Sequence, residues 1–307
     1  MKLIHSAEEL GNGSRRVCLA IGVFDGVHLG HQQIIRQTVA DAHQHEALPV
    51  VVTFDRHPNV VVAPDRVPAQ IHSRSQKLRA IGALGVEALL EIAFDKPFSQ
   101  KPGDRFVREL AGGFGKIHSV CVGADFVFGH GRTGNVALLE QLGQELHFQV
   151  HGLAAVALDG QPVSSTRIRD QIRTGNLDAA SQMLGRSYSL CGRVIPGEGI
   201  GRQLGFPTAN LDAANLVLPP NGVYFAVTNL QGRVFRAAMN IGLRPTVSSA
   251  RPQVRVEAHL LDFTGNLYQE ELELELGVKL RDEIRFGSRA ELRSQIERDV
   301  AAVRGMD

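Results

Sequence analysis

The hydrophobic pattern of this chain changes its period near residue 186, and no other sequence feature constrains the fold as much. Before that point, short apolar runs alternate with longer segments of helical period. This alternation is typical of an open parallel β-sheet with helices on both faces. The runs predicted as strands are residues 17–23, 50–54, 89–94, 119–122 and 149–153, and the predicted helices are residues 31–47, 74–84, 135–146, 165–175 and 176–184.

After residue 186, apolar and polar residues alternate strictly. Residues 254–260 and 272–280 each have one apolar face, which is the period of a half-buried strand. Gly265-Asn266 lies between these runs and predicts a hairpin turn. The second half therefore predicts antiparallel β-structure, most simply a small barrel.

A capping box marks the last helix. Ser288 precedes Glu291 by three residues, and the apolar residues that follow share one helical face. A chain of 307 residues exceeds the roughly 250–300 residues that a single core usually serves. We therefore predict two domains, residues 1–186 and 187–307, with the final helix closing the second.

Composition excludes several classes of protein. The net charge of +1 indicates neither a nucleic-acid nor a membrane partner. No apolar run approaches the roughly 20 residues of a membrane span. Cys18, Cys121 and Cys191 stand far apart, so neither a disulfide framework nor a zinc motif is predicted. These features are typical of a cytoplasmic protein, and they leave the oligomeric state open.

The segment GVFDGVHLGH, residues 22–31, joins a buried strand to a helix through a glycine-rich turn. His28 and His31 are three residues apart and lie near one face of the first helical turn. Gly30 lets a ligand approach the backbone, and the helix N-terminus favours a phosphate group. The segment predicts in-line attack at an α-phosphate, with the histidines hydrogen-bonding phosphate oxygens. Gly22, Phe24 and Asp25 are assigned to the same ATP site.

The spacing of the two histidines has a simpler interpretation, two surface residues at a helix start. Zinc binding is not predicted, because no third ligand is evident nearby in the sequence. The strand, glycine turn and helix context favours the phosphate interpretation.

Residues 164–169, SSTRIR, combine hydroxyls at a helix start with arginines in its first turn. Ser164, Thr166, Arg167 and Arg169 form a candidate pyrophosphate clamp. An ordinary N-cap would leave the same pattern. A further segment, residues 123–129, places aromatics between glycines after a strand, where they could stack on a flat ligand or belong to the core.

Residues 197–210 contain the densest glycine motif. A backbone rich in glycine can fold over phosphates with its N–H groups pointing inward. The spacing matches neither the dinucleotide-binding fingerprint nor a Walker loop. Gly199, Gly201 and Arg202 are assigned to ATP phosphates, while a mobile loop is the alternative.

Phosphoryl transfer also needs a metal and a proton acceptor. Thr208 and Asn210 offer hard oxygens two residues apart, on one side of an extended chain, which suits a divalent cation. Glu257 lies on the polar face of its predicted strand and is a candidate base. The alternative for Glu257 is a solvated strand face.

Together these motifs resemble bacterial bifunctional riboflavin kinase/FAD synthetase. In the first half, residues 22–31, 54–58 (FDRHP), 122–129 (VGADFVFG) and 164–169 occur in the order and spacing of that family. In the second half, residues 204–211 (LGFPTANL), 219–224, 240–246 (NIGLRPT) and 256–263 (VEAHLLDF) occur in the order of its flavokinase part. The resemblance covers nearly the whole chain.

The resemblance implies a Rossmann-like nucleotidyltransferase domain that transfers AMP from MgATP to FMN, forming FAD and pyrophosphate. It also implies a six-stranded β-barrel that phosphorylates riboflavin with ATP, with Mg²⁺ on Thr208 and Asn210. Glu257 would accept the proton of the ribityl 5′-hydroxyl. Phe54, Asp125 and Phe128 would lie near the flavin.

Two positions depart from the family pattern. Arg56 stands where proline is common in the family. Gln269 follows Tyr268 where glycine is usual, so we expect a changed turn at Gln269.

The sequence also leaves two alternative functions open. One is a nucleotidyltransferase for another phosphorylated substrate with a non-catalytic C-terminal domain, and the other is a flavin-sensing binding protein.

Overall fold

The computed structural model describes residues 1–10, 15–244 and 253–306. The chain divides into two compact units, one of Met1–Pro68 with Arg74–Ser165 and one of Ala69–Ser73 with Thr166–Asp307. The predicted boundary near residue 186 differs from this division and stays a prediction. Pro245 and Thr246 of the NIGLRPT motif lie outside the described residues.

The first unit contains a six-stranded sheet. Its strands are β1 (Lys2–Ile4), β2 (Val17–Ile21), β3 (Leu48–Phe54), β4 (Ala88–Ile92), β5 (Ile117–Gly123) and β6 (Gln149–Leu153). They lie in the order β1-β4-β3-β2-β5-β6, and every neighbouring pair is parallel. The predicted parallel sheet is confirmed, although the edge strand β1 was not predicted.

The strand order reverses beside β2, with β3 and β4 on one side and β5 and β6 on the other. The carboxyl ends of β2 and β5 therefore border the crevice in which open α/β sheets bind ligands. The GVFDGVHLGH segment follows β2, and the aromatic segment at residues 123–129 follows β5. The topology thus brings these two segments to the same edge of the sheet.

Helices of the first unit cover both faces of the sheet. They are α1 (Leu29–Gln44), α2 (Asn59–Val62), α3 (Arg74–Gly82), α4 (Lys96–Ser99), α5 (Gly103–Phe114) and α6 (Val136–Leu146). Leu19 packs in one core with residues of α5 and α6, whereas the adjacent Ala20 packs in another with residues of α1 and α3. Because successive strand residues point to opposite faces, both layers are needed to bury the strands. Helices α2, α4 and α5 were not predicted.

A short hairpin of β7 (Ala157–Leu158) and β8 (Gln161–Pro162) precedes α7 (Ser165–Thr174) and α8 (Leu177–Leu184). Asn176 caps α8 by accepting a hydrogen bond from the Ala179 amide. The second unit continues with β9 (Ser189–Ile195), α9 (Ile200–Gln203), β10 (Ala209–Leu211), β11 (Gly222–Leu230), β12 (Arg233–Arg244), β13 (Gln253–Leu260), β14 (Glu271–Arg281) and α10 (Arg289–Arg304).

Strands β9 to β14 form a closed barrel in the order β10-β13-β12-β11-β14-β9, and β9 pairs with β10 to close it. The pairs are antiparallel. Alternate residues face the core, as Val256, Ala258 and Leu260 of β13 illustrate by their burial. The predicted six-stranded antiparallel barrel with a C-terminal helix is confirmed.

The predicted hairpin at Gly265-Asn266 is wrong. Strand β13 pairs with β10 and β12, and β14 pairs with β9 and β11, so the two strands are not neighbours. The tight turn lies instead at Gln231-Gly232 between β11 and β12, where both residues have positive φ, 53° and 82°. A glycine-containing pair marks a turn, but it does not specify which strands pair across it.

The predicted cap of the last helix is present. The Ser288 hydroxyl accepts from the Glu291 amide at 3.2 Å, and the Glu291 carboxylate accepts from the Gly287 amide at 3.0 Å. Arg281 of β14 forms paired hydrogen bonds to the buried Asp299 of α10, at 2.9 and 2.7 Å. This bidentate contact attaches the helix to the barrel.

Candidate active sites

The turn between β2 and α1 has a strained backbone. Phe24 and Val27 have φ of 54° and 39°, which is rare for residues with a β-carbon and rarest for β-branched ones. Both side chains are 1% exposed, and Gln32 donates from Nε2 to the Val27 carbonyl at 2.9 Å. Burial and this hydrogen bond hold a conformation that the residues would otherwise avoid. Strain of this kind concentrates at functional sites.

His28 is the N-cap of α1, and its Nδ1 accepts from the His31 amide at 3.4 Å. A neutral imidazole with an accepting Nδ1 carries its proton on Nε2, so Nε2 is the donor nitrogen of this ring. The two imidazole rings stack with centroids 3.6 Å apart. The structure therefore brings the two predicted histidines together at a helix N-terminus.

The glycines of this segment pack against its aromatic rings. A β-carbon at Gly30 would lie 3.3 Å from His28 Cε1, and one at Gly22 would lie 3.0 Å from the Phe24 ring. Gly30 therefore leaves room for the His28 ring, in addition to the backbone access predicted from sequence. The Phe24 ring in turn meets His31 edge-on at 5.2 Å.

The SSTRIR segment begins beside this turn. Ser165 donates from Oγ to the carbonyl of the buried Asp25 at 3.0 Å, so the start of α7 is fixed there. Ser164 precedes it and is partly exposed. Arg169 is 7% exposed and donates from Nε to the Ala69 carbonyl at 2.7 Å, which gives it a structural role.

Thr166 is exposed and Arg167 is partly exposed. Both belong, with Arg169, to the second compact unit. Their predicted contacts with pyrophosphate, like that of Ser164, stay predictions.

An aromatic cavity of about 500 Å³ lies in the first unit. Val23, from the GVFDGVHLGH segment, lines one part of it, and the predicted Phe54 and Phe128 line others. Asp125 is exposed and is not among the described residues that line it. Phe126, from the segment 123–129 described above, also lines the cavity. The sequence did not point to the other aromatic and cationic residues of the lining, which are Phe94, Phe98, Phe106, Lys96, Lys101, His130 and Arg132.

The aromatic rings of this cavity pack on one another. Phe94 meets Phe54 and Phe98 edge-on, with centroids 5.3 Å apart in both pairs. Phe126 and Phe128 stack at 5.2 Å. A flat apolar ligand suits a wall of this kind. The sequence signal that could have revealed this wall is the pair Phe94 and Phe98, which are four residues apart on either side of the start of α4.

Arg56, where proline was expected, pairs with its neighbour Asp55 through Nε at 2.9 Å and Nη2 at 2.7 Å. The other Asp55 oxygen accepts from the Phe94 amide at 2.9 Å. Burial acts to raise the pKa of Asp55, but the hydrogen bonds from Arg56 and Phe94 together lower it. Arg56 thus supports a carboxylate that holds one wall of the aromatic cavity.

Lys77 was not predicted. It donates from Nζ to the Phe54 carbonyl at 2.8 Å, at the end of β3. Burial lowers the pKa of its ammonium group. Its observed contact stabilises the strand end that carries Phe54.

In the second unit, three polar residues form a row across paired strands. Glu257 of β13 lies directly opposite Asn210 of β10 and, on its other side, opposite Asn240 of β12. Residues opposite one another in an antiparallel sheet point to the same face. The barrel therefore places the predicted base beside one predicted metal ligand, and it adds Asn240, which the sequence reasoning did not single out.

The glycine-rich segment packs against the two predicted metal ligands. A β-carbon at Gly197 would lie 2.2 Å from Asn210 Nδ2, and one at Gly201 would lie 3.4 Å from Thr208 Oγ1. Gly199, with φ of 71°, is the N-cap of the short helix α9, which contains Gly201 and Arg202. Without β-carbons, the backbone at Gly197 and Gly201 can lie close to the Asn210 amide and the Thr208 hydroxyl.

This donor set fits Mg²⁺ carried by a nucleotide. Thr208 and Asn210 supply neutral oxygen ligands, and Mg²⁺ usually completes its shell with phosphates and water. Within the described residues, no group of three or more His, Cys, Asp or Glu side chains could hold a metal. A metal centre built from three or more of those four side-chain types is therefore not present in that part of the chain.

Two cavities meet at Thr208, which lines both. One, of about 270 Å³, contains Glu257 and Asn240 and is otherwise largely apolar. The other, of about 340 Å³, contains Arg202. The apolar walls of the first include Ile200, Phe206, Ile284, Phe286, Leu292 and Ile296.

Glu257 also has a charged neighbour. Arg255 lies two residues away on the same strand face, with Nη1 3.4 Å from the Glu257 carboxylate and Nη2 3.8 Å from that of Glu198. Glu198 belongs to the glycine-rich segment. These contacts link that segment to the strand that carries the candidate base.

Gln269 has φ of 69°, in the left-handed region where glycine is favoured. Its amide donates to the Val194 carbonyl at 2.9 Å. The backbone thus adopts a conformation typical of glycine although the residue is glutamine. We therefore interpret the departure as a site of local strain, and the changed turn expected from the sequence stays a prediction.

Within the described residues, every helix is too short or too polar to cross a membrane.

Comparison with known proteins extends over both units. Family models of FAD synthetase and of riboflavin kinase match residues 12–167 and 184–306. The bifunctional riboflavin kinase/FMN adenylyltransferase of Escherichia coli K12 is 35% identical over 99% of this chain and 97% of its own length. The protein of the same name from Pseudomonas fluorescens is 36% identical over 100% of this chain and 98% of its own.

The fold also matches a crystal structure described as a macrolide-efflux protein from Streptococcus pneumoniae. The TM-score is 0.82 with 26% sequence identity, and 99% of each chain is covered. The shared fold therefore extends over nearly all of both chains. The family predicted from the motifs is confirmed, and the chain belongs to the bifunctional riboflavin kinase/FMN adenylyltransferase family.

Proposed function

We propose that this chain phosphorylates riboflavin to FMN with ATP in its C-terminal domain and adenylylates FMN to FAD in its N-terminal domain, with release of pyrophosphate. The observation that carries the proposal is the row of Asn210, Glu257 and Asn240 beside Thr208. A protein that only bound flavin would have no need of a carboxylate opposite an amide ligand, beside a threonine that lines two cavities.

In the kinase reaction, the flat flavin ring occupies the apolar cavity that contains Glu257. The carboxylate of Glu257 accepts the proton of the riboflavin 5′-hydroxyl as that oxygen forms a bond to the γ-phosphorus of ATP, and the bond from that phosphorus to the ADP oxygen breaks. The second cavity, with Arg202 on its wall, holds the nucleotide, and Gly199 and Gly201 allow the backbone to approach its phosphates. Mg²⁺ held by Thr208 and Asn210 would neutralise phosphate charge.

In the adenylyl transfer, the FMN ring lies in the aromatic cavity with Phe54 and Phe128. A phosphate oxygen of FMN forms a bond to the α-phosphorus of ATP, and the bond from that phosphorus to the pyrophosphate oxygen breaks. His28 donates from Nε2, and with His31 it stabilises the charge on the phosphate oxygens. The N-terminus of α1 adds positive potential.

Further assignments from the sequence are part of the same proposal. Gly22, Phe24, Asp25 and Gly30 shape the ATP site. Ser164, Thr166 and Arg167 bind pyrophosphate oxygens, Arg169 holds their helix through the Ala69 carbonyl, and Asp125 lies near the flavin. The domain boundary is placed near residue 186, within the interval that neither domain needs for its sheet. The cytoplasm is the expected compartment, since Cys18, Cys121 and Cys191 form no disulfide with one another.

A time course by HPLC tests the proposal. Purified protein incubated with riboflavin, ATP and Mg²⁺ should accumulate FMN and then FAD. Absence of FMN would exclude the kinase assignment, and absence of FAD from supplied FMN would exclude the transferase assignment. Tight flavin binding without ATP turnover would instead favour the flavin-sensing alternative, and AMP transfer to a different phosphorylated compound would favour the other.

A further inference from the structure

Thr208 needs a means of fixing its position. It precedes the three-residue strand β10, so the strand ladder that holds Asn210 does not include it. The residue before it, Pro207, has no N–H group. At Pro207 itself, the carbonyl is therefore the one backbone group that can form a hydrogen bond.

His259 makes that hydrogen bond. Its Nδ1 lies 2.8 Å from the Pro207 carbonyl oxygen, and its ring meets the Phe206 ring edge-on with centroids 5.5 Å apart. A carbonyl oxygen can only accept, so Nδ1 carries the proton.

The position of His259 on its strand gives the contact a further consequence. His259 lies two residues after Glu257 on β13 and lines the same cavity. One strand face therefore carries both the candidate base and the group that holds the segment before Thr208. Displacement of that segment would move Thr208 Oγ1 relative to Asn210 and Glu257, which are fixed by strand pairing.

We propose that His259 is a positioning residue for the kinase reaction, which sets the Thr208 hydroxyl at the metal position through the Nδ1–H bond to the Pro207 carbonyl. This inference rests on the proposed riboflavin kinase function. It assigns His259 no contact with the reacting atoms. The role requires a donor at Nδ1 and not at Nε2. Replacement of His259 by asparagine or by glutamine can therefore test it.

Two substitutions separate the ring nitrogens. In His259→Asn, the amide nitrogen is attached to Cγ as Nδ1 is, so a donor can still reach Pro207. In His259→Gln, the amide lies one bond further out, near the position of Nε2. We expect His259→Ala and His259→Gln to raise the Mg²⁺ concentration for half-maximal FMN formation by roughly fivefold to tenfold, the effect of one hydrogen bond. His259→Asn should stay within about twofold of the unmodified protein.

Adenylylation of supplied FMN by the same preparations serves as the internal control and should not change. If His259→Gln keeps the Mg²⁺ dependence of the unmodified protein and His259→Asn does not, the inference is overturned in favour of a role for Nε2. An unchanged Mg²⁺ dependence in His259→Ala would also overturn it. If the unmodified protein forms no FMN, the proposed function itself is at fault.

A second measurement does not depend on activity. In ¹⁵N-labelled protein, the histidine signal that disappears in His259→Asn should have the shifts of an imidazole protonated at Nδ1. A signal from the Nε2–H tautomer, with an unprotonated Nδ1, would overturn the inference. This measurement still tests the hydrogen bond from His259 to the Pro207 carbonyl if the His259→Ala variant folds poorly.

Discussion

The two candidate sites of this chain are built in different ways. At the N-terminal site, His28 and His31 lie within one strand–turn–helix segment, and the local backbone positions them through a turn in which two non-glycine residues have positive φ. At the C-terminal site, Asn210 and Glu257 come from segments far apart in the chain and meet through strand pairing, and Thr208 lies two residues before Asn210. One site depends on a strained local conformation, and the other depends on the register of a barrel.

This difference predicts different weaknesses. A local site tolerates changes elsewhere as long as its turn stays buried and packed. A site built from register would lose Glu257 to the opposite face if β13 slipped by one residue, because side chains alternate along a strand. Perturbations should therefore separate the two activities. Three substitutions test this separation and a fourth compares backbone strain in the two regions, and they follow in decreasing order of expected effect.

The largest effect is expected for Glu257→Gln. The substitution keeps the size of the side chain but removes the proton acceptor. We expect kcat for riboflavin phosphorylation to fall by about 10²- to 10⁴-fold, the usual contribution of a general base. Adenylylation of supplied FMN should be unchanged, as measured by HPLC. A kinase loss below tenfold, or an equal loss of both activities in folded protein, would contradict the assignment.

His28→Asn comes next. Asparagine is a good N-cap, so α1 should remain stable, whereas the imidazole donor is lost. We expect FAD formation from FMN to fall by about 10²- to 10³-fold, the cost of one preorganised oxyanion donor. FMN formation should persist.

His28→Ala is the matched control for the cap. It should lose the same activity and also about 1 kcal/mol of stability, measured by urea unfolding. Full adenylylation by His28→Asn would show that His28 acts only as a helix cap.

Gly197→Ala tests the barrel site without touching a proposed ligand. The new β-carbon would lie 2.2 Å from the Asn210 amide nitrogen and would force that side chain to rotate away. We expect kinase activity to fall by at least about tenfold, because small displacements of aligned groups are costly in rate. Stability should change little, since the end of a side chain can move.

Gly112→Ala provides the control for Gly197→Ala, because a β-carbon there meets nothing within 4 Å. It lies within α5 and should leave both activities intact while stabilising the helix by up to about 1 kcal/mol. Equal kinase activity in the two variants would show that Asn210 does not need its observed position.

The smallest effect is expected for Gln269→Gly, which compares strain in the two regions. Glycine accepts the φ of 69° at this position without steric cost, so stability should rise by up to about 1 kcal/mol. Val27→Gly also relieves a positive φ, but it removes a side chain that is 1% exposed and should cost about 1.5–3 kcal/mol. Urea midpoints of both variants give the comparison, and a destabilised Gln269→Gly would show that the Gln269 side chain has a structural role.

Much of the N-terminal site could be predicted because its information is local. The strand before residue 22, the glycines and the two histidines follow one another in the sequence, and helix α1 begins at Leu29, close to its predicted start. The aromatic cavity was less accessible. Phe94, Phe98 and Phe106 converge from α4, α5 and the segment before them, and neither helix was predicted.

The barrel shows the same limit. Strict alternation of apolar and polar residues predicted its strands, yet Gly265-Asn266 suggested a pairing of β13 with β14 that does not occur. Alternation specifies which residues face inward, but the partner of each strand is set by long-range packing. Asn240 opposite Glu257 and His259 against Pro207 depend on that pairing, and the sequence reasoning assigned neither contact.

By itself, the sequence determined the class of each half, the histidine pair at a helix start, and the types of side chain available for metal and proton transfer. These follow from periodicity and from neighbours along the chain. Tertiary structure decided which segments meet: the row across β10, β13 and β12, the aromatic cavity, and the contact that holds Pro207. The physical reason is that hydrophobic burial is non-directional, and the pairing of distant segments emerges when backbone hydrogen bonds and close packing are satisfied throughout the domain.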